Sequence, residues 1–288
     1  MTDFVHLTKQ FARRRFLKTK AALEFRETDG RPRLYCAEPA IAARFASQLR
    51  QAALALYGPA TKVLMRGQSH NHSGMVPGLF RPPTHAIDRP SLLHAESLFE
   101  KRIRQRVKLG RFKRPHLAAL LQHYGYRTTW LDVVDNLWVA VWFATNSIRP
   151  ADKHSRVSTP RTMGSGWIYF IAATELTNCD ALDLRDAHHG LSLRPHAQSG
   201  WSVRSTVPEE GNLGSSVIRC VEFPITKRWA FGGHFGSSEF LFPSRTLDDT
   251  LRRLIEHDGD AIAATVERES RVPNETLGRL DEVKDAAV

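Results

Sequence analysis

The sequence predicts an α+β fold: a central mixed or antiparallel sheet with flanking helices. Three observations carry this reading. Segments with helical apolar spacing and segments with strand character are interspersed without the regular alternation of a doubly wound sheet. The 288 residues are 42% hydrophobic, so one large domain, or one domain with additions, can bury a sizeable core. No internal repeat and no heptad run points to a solenoid or a coiled coil.

The elements follow in order. Residues 37–57 read as an Ala-rich helix with Ile41, Phe45, Leu49 and Leu54 near helical spacing, ended by Gly58-Pro59. Lys62-Val-Leu-Met-Arg66 reads as a short strand running into Gly67. Residues 69–90, rich in His, Gly and Pro, read as a loop. Ser91 is the expected N-cap of a helix over 93–109, which Gly110 stops. Pro115 opens a second helix through Leu121. A third, 136–146, is apolar nearly all round and is expected to be buried. Residues 152–165 read as a polar, basic loop. Gly166-Trp-Ile-Tyr-Phe-Ile-Ala172 has the clearest strand character in the chain. Residues 175–215 read as irregular. Val217–Phe223 and Glu239–Phe242 read as further strands, and 247–257 as a final helix before a polar tail. This divides the chain into an N-terminal helical segment (1–60), an α+β domain (61–245) and a C-terminal helix with its tail (246–288).

No run approaches the ~18–20 apolar residues of a membrane span, so no membrane partner is expected. The first residues lack the order of a secretory signal, a charged region followed by an apolar one. Cys36, Cys179 and Cys220 are few, far apart and odd in number. They read as buried thiols in a reducing compartment, and the expected location is the cytoplasm.

The candidate site is a polar run set against an apolar one. Gln122, His123, Tyr124, Thr128, Thr129 and Asp132 lead directly into the apolar stretch 137–144. Polar groups held against a core are costly unless they bond each other or a ligand. His123 and Asp132 can be a base and its orienting acid, or a structural hydrogen bond. Arg66-Gly67-Gln68 can bind phosphate or carboxylate at a strand end, or be an ordinary turn. Glu239 is a carboxylate that is solvated at an edge or aimed into a cleft. His70 and His72 have no third ligand at a sensible spacing, and no metal is expected. Phosphate-loop and nucleophile-elbow motifs are absent.

The net charge is +11. The densest basic block, 101–114, contains Lys101, Arg102, Arg104, Arg106, Lys108, Arg111, Lys113 and Arg114; Arg13–Lys20 is a second. Such blocks read as solvated helix faces or as grips for a polyanion.

These residues resemble the FRG domain family, named for its Phe-Arg-Gly signature. The matching segments are Met65-Arg-Gly-Gln68 with Val76–Arg81, Gln122-His-Tyr-Gly125 with Thr128 and Leu131-Asp132, and Asn136 with Val139-Ala-Val-Trp-Phe-Ala144. A weaker one joins Arg194, Gln198, Gly200 and Trp201. Met65 replaces the signature Phe. Arg127 stands where the family commonly has Pro, and Thr129 where it commonly has Arg.

More distantly, the order Arg66-Gly67, Thr128-Thr129-Trp130, Ala140-x-x-Phe143-Ala144 and Glu239-Phe-Leu-Phe-Pro243 is similar to mono-ADP-ribosyltransferases. That resemblance implies a transferase-like fold and NAD as the substrate. Arg66, with Gly67, Gln68, Tyr124, Thr129, Asp132 and Arg81, would form the cofactor site. Thr128, His123 and Glu239 would be catalytic, with Glu239 at the ribose anomeric carbon. The expected function is an ADP-ribosyltransferase-like toxin or defence effector acting on nucleic acid or protein, with an inhibitory antitoxin partner. The alternative is a non-catalytic, nucleic-acid-binding or regulatory module using Arg102, Arg104, Arg106, Lys108, Arg111, Lys113 and Arg114. A third reading is a hydrolase with His123 as its base.

Overall fold

The computed structural model describes residues 23–273 and 276–278, apart from 29–30, 73, 82–86, 108, 110–113, 151–155, 188–191, 208–210, 227–228 and 230–237. The basic segment 13–20 and Lys108, Arg111 and Lys113 lie outside the described residues.

The fold is α+β. The strands are β1 (Leu23–Thr28), β2 (Arg31–Cys36), β3 (Lys62–Gln68), β4 (Leu131–Val134), β5 (Asn146–Pro150), β6 (Arg156–Pro160), β7 (Ser165–Ala173), β8 (Cys179–Asp183), β9 (Gly200–Ser205) and β10 (Val217–Pro224). Among the described residues eight of them form one sheet, in the order β1-β2-β10-β7-β3-β4-β9-β8. The β10–β2 pair is parallel and the others antiparallel, so the sheet is mixed. β5 and β6 form a separate ribbon.

The helices are α1 (Pro39–Tyr57), α2 (Arg89–Arg106), α3 (Arg114–His123), α4 (Leu137–Thr145), the short α5 (Leu184–Ala187), α6 (Leu193–Ala197) and α7 (Ser238–Leu241), and then α8 (Asp249–Glu256) and α9 (Gly259–Glu269). No helix among the described residues is long and apolar enough to cross a membrane.

Two apolar layers flank the sheet. On one face, Phe45 and Leu49 of α1 and Val139, Ala140 and Ala144 of α4 bury Met65, Ile168, Phe170 and Val221. The opposite strand positions, Leu64, Leu131, Val133, Ile171 and Val203, form a second cluster, as the two-residue period of a strand requires. A third core lies among α2, α3, α8 and α9, around Leu92, Phe99, Leu120, Tyr124, Leu254 and Ile262.

Several elements differ from the sequence reading. Residues 175–215 contain β8, α5, α6 and β9, whose five- and six-residue strands are bounded by polar residues and lack a long apolar run. The basic loop 152–165 contributes β6. Ser91 is not the N-cap of α2: Asp88 holds that place, accepting a hydrogen bond from Ser91 N at 3.0 Å. Within 1–60, residues 23–36 are a hairpin added to the sheet edge, and α1 follows it. Glu239–Phe242 is not a strand, because Ser238–Leu241 closes a single helical turn. The polar tail begins with α9, capped by Asp258 and buried through Ile262, Ala263 and Val266. All three cysteines are free, and burial pushes the Cys179 and Cys220 thiols up to about 12.

One contact sets the geometry at the centre of the sheet. α4 lies so close to β3 that a Cβ at Gly67 would stand 1.7 Å from Ala140 O and 2.6 Å from Ala140 C. The obstacle is helix backbone, which cannot step aside. Gly67→Ala is therefore expected to destabilise the protein by about 3 kcal/mol or more in chemical denaturation. A loss below about 1 kcal/mol would count against this packing.

Candidate functional site

The β3–β4 ladder holds one pair, Met65↔Val134, and then opens. A cavity of about 250 Å³ lies at this opening. It is lined by Met65–Gln68 from β3 and Ser69 just after it, Asp132–Val134 from β4, Gln122, His123 and Gly125 from the end of α3, and Arg81. The far wall comes from Phe143 and Asn146 at α4, from Arg194 and Gln198 at α6, and from Phe242. His70 and His72 also line it, with ring centroids 6.3 Å apart. Among the described residues, no group of three or more His, Cys, Asp or Glu is placed to hold a metal ion.

The end of α3 shows why the Gln-His-Tyr-Gly run is built as it is. Gly125 has φ +95°, a conformation open to glycine. Gly125 N donates to Gln122 O at 2.8 Å and Tyr126 N to Leu121 O at 3.1 Å, which closes the helix in a Schellman turn. His123 is thereby the last helical residue, facing β4. The Gln122 amide, with its nitrogen toward the following loop, donates to Tyr126 O, Trp130 O and Thr128 Oγ1 at 3.1–3.2 Å. Gln122 thus shapes the loop that leads into β4.

Three arginines converge on the cavity, each oriented by a main-chain carbonyl. Arg66 Nη1 donates to Asp132 O at 2.6 Å, across the opened ladder. Arg81 Nε donates to Val76 O at 2.8 Å. The buried Arg194 donates from Nη1 to His123 O at 3.3 Å, and its guanidinium lies 4.8 Å from the Tyr124 ring and 5.2 Å from the Phe242 ring. Arginine held between aromatic faces keeps its charge while its direction is fixed. Gln198 Nε2 donates to Leu241 O at 2.6 Å and so ties α6 to the segment carrying Phe242.

Asp132 is the carboxylate of the lining, with 34% of its side chain exposed. Burial alone would raise its carboxyl. The hydrogen bond from His123, together with the charges of His123 and Arg66, holds it below the usual carboxylate range. His123 Nδ1 lies 3.4 Å from Asp132 Oδ1. Its Nε2 is buried without a hydrogen-bond partner among the described residues. A Cβ at Gly200 would stand 2.8–3.0 Å from that edge of the ring. His123 therefore meets Asp132 with one nitrogen and the protein interior with the other. This arrangement does not favour the hydrolase reading, which needs a nitrogen open to a substrate.

The sequence-derived residues fall into two groups. Arg66, Gly67, Gln68, Arg81, His123 and Asp132 line the cavity together. Thr128, Thr129, Tyr124 and Glu239 are not part of its lining. Thr128 is fully buried against Gln122. Thr129 gives its N–H, at 2.7 Å, and its hydroxyl, at 3.2 Å, to Glu96 on α2. The Tyr124 hydroxyl donates to the Asp248 carboxylate at 2.7 Å; burial, and then the Asp248 charge, push it well above its ordinary value, so it stays a donor. Glu239 is exposed on α7. The series Arg66, Thr128 and Glu239 does not share this cavity.

Arg194 and Gln198 were visible in sequence only as a weak segment, and Phe143 and Phe242 only as parts of apolar runs. In the basic block, Arg102 donates to both Glu269 oxygens at 3.0 and 3.1 Å, and Arg104 lies 3.8 Å from Glu100. Arg106 is exposed at the end of α2. Arg114 begins α3.

A family model, described as the FRG domain, matches residues 61–153. No curated protein and no solved structure matches the chain.

The Glu96–Thr129 bond behind the site has a measurable consequence. Burial raises the Glu96 carboxyl to about 7; the Thr129 N–H opposes this and Glu100 adds to it. The folded state thus holds a proton that the unfolded chain releases near 4.5. Stability from this group is full below that value, falls as pH rises toward 7 and is level above it. Glu96→Gln keeps an acceptor for Thr129 and should remove this slope, a difference on the order of 3 kcal/mol or less at pH 8. Denaturation midpoints from pH 4.5 to 8 test it, and parallel profiles for the two proteins would contradict it.

Proposed function

We propose that this chain, which carries an FRG domain, binds a small phosphate- or carboxylate-bearing ligand in the cavity between β3 and β4. The observation behind this reading is the convergence of Arg66, Arg81 and Arg194 on one cavity, each guanidinium aimed by a carbonyl. Guanidinium groups fixed in this way recognise planar or tetrahedral anions through paired N–H donors. The order of elements supports a ligand role too. The arginines come from a strand, the loop that follows it and a helix more distant in sequence, and packing on the sheet brings them together.

NAD, the substrate implied by the transferase resemblance, is one anion of this class. In a transferase reading, Arg66 would hold a phosphate, and Asp132 would be the carboxylate to meet the ribose. Glu239 is outside the lining and has no seat in that chemistry. The nucleic-acid reading of the basic block has less support, since Arg102 and Arg104 already face carboxylates of their own chain.

Calorimetry with NAD, ADP-ribose and inorganic phosphate tests the proposal. At least one should bind, and Arg66→Ala should weaken it by about tenfold or more. Arg66→Lys, which keeps the charge and loses the fork, should be intermediate. Glu239→Ala should leave the affinity within about twofold, because a residue outside the cavity makes no contact to lose. If no anion binds, or if Glu239→Ala rather than Arg66→Ala abolishes binding, the proposal fails.

A further inference from the structure

Among the described residues, the same cavity holds one carboxylate beside three arginines, and this has a consequence for what it accepts. A carboxylate beside a bound anion repels it. Evolution of a plain anion trap favours an amide or hydroxyl at such a position. An ionised carboxylate is useful where the ligand brings a donor, because it accepts strong hydrogen bonds from hydroxyl or amino groups.

We infer that Asp132 is the specificity-determining residue of the cleft, selecting anions that carry a neighbouring hydroxyl or amino donor over anions that carry none, and that His123 is its positioning residue. The inference rests on the anion-binding reading of this cavity. Three features of the cleft support it. Asp132 keeps a third of its side chain open to the cavity, while Arg66 bonds its main-chain carbonyl rather than its carboxylate. His123 approaches Oδ1, which directs the carboxylate. The imidazole is itself fixed by burial: Nε2 is enclosed against Gly200, so the ring has one polar contact to make, through Nδ1. A histidine held in this way acts through the aspartate and not on the ligand.

The two arms of selection act on one ligand. Arg66, Arg81 and Arg194 take the charged end, and Asp132 takes the donor. A sugar phosphate satisfies both, whereas pyrophosphate offers more charge to the arginines and sets it against Asp132.

The experiment compares ribose 5-phosphate with inorganic pyrophosphate by calorimetry at pH 8. The wild-type protein should prefer the sugar phosphate by about tenfold, the worth of one charge-assisted hydrogen bond. Asp132→Asn should remove or invert that preference while still binding pyrophosphate. For His123, Ala should lose the preference. Asn, which can place an amide N–H where Nδ1 stands, should restore most of it. A ratio of affinities is read rather than an affinity, so a variant that is merely less stable leaves it unchanged.

Equal binding of the two probes by wild type, or an unchanged ratio in Asp132→Asn, overturns the selection role. Equal ratios in the two His123 variants overturn the positioning role. If neither probe binds, the anion-site reading falls first and takes this inference with it. If both bind and Arg66→Ala weakens both, the anion reading stands even where selection fails.

Discussion

The close approach of the α4 backbone to β3 is the constraint on which the rest of the centre depends. Gly67 allows Ala140 O to come within a distance that no side chain would permit. Only two residues, Asp135 and Asn136, link β4 to α4. Asn136 caps the helix by accepting from Trp138 N at 2.9 Å. Seating α4 on Gly67 therefore also decides where β4 can meet β3. The two strands share one ladder pair and diverge, and the divergence is the cleft. The Arg-Gly pair has two separate jobs on two faces of one strand. The glycine admits a helix, and the arginine spans the gap that the helix has fixed.

The walls of the cleft are rigid because their polar groups are tied to the core. Asp248, fully buried at the start of α8, accepts from Tyr124 Oη, from Arg194 N at 3.0 Å and from Leu251 N at 3.0 Å. One carboxylate thus joins α3, α6 and α8 and fixes the base of Arg194. Such a network is favourable only when its members are satisfied, since a buried carboxylate with a missing donor carries its full desolvation cost. The same logic holds Asp132 through His123 and Thr129 through Glu96. The polar run that stood out beside the apolar helix divides accordingly. Tyr124, Thr128 and Thr129 hold the scaffold, Gln122 shapes the loop while lining the cavity, and His123 and Asp132 reach the cavity.

Much of the fold was legible where burial imposes a period. α1, α2, α4, β3, β7 and β10 all carry long apolar patterns and lie close to their expected bounds. The elements that escaped are short or lean on distant partners. β4 has four residues, β8 depends on pairing with β9, and β9 on pairing with β4 and β8. The hairpin β1–β2 has charged residues along it, and it joins the core through its pairing with β10 and through Leu34 and Cys36, which pack with α1. α9 hides its face of Ile262, Ala263 and Val266 among acidic and basic residues. The run Glu239–Phe242 was too short to decide between strand and helix by pattern, and a helical turn before Pro243 prevailed. At the site, sequence order marked Arg66 and Asp132 as candidate residues, but Arg194 only as part of a weak segment. No spacing rule links residues whose meeting depends on the whole sheet.

The cleft draws on two separate stretches of chain. The segment matched by the family model, 61–153, supplies Arg66, Arg81, Asp132 and Phe143, while Arg194, Gln198 and Phe242 come from beyond it. The pocket thus joins the matched segment to chain that lies beyond it. Substitution at Arg194, Gln198 or Phe242 can recast that part of the wall without disturbing the glycine-seated helix or the strand arginine. A cleft built on this plan can change what it holds while keeping how it holds it.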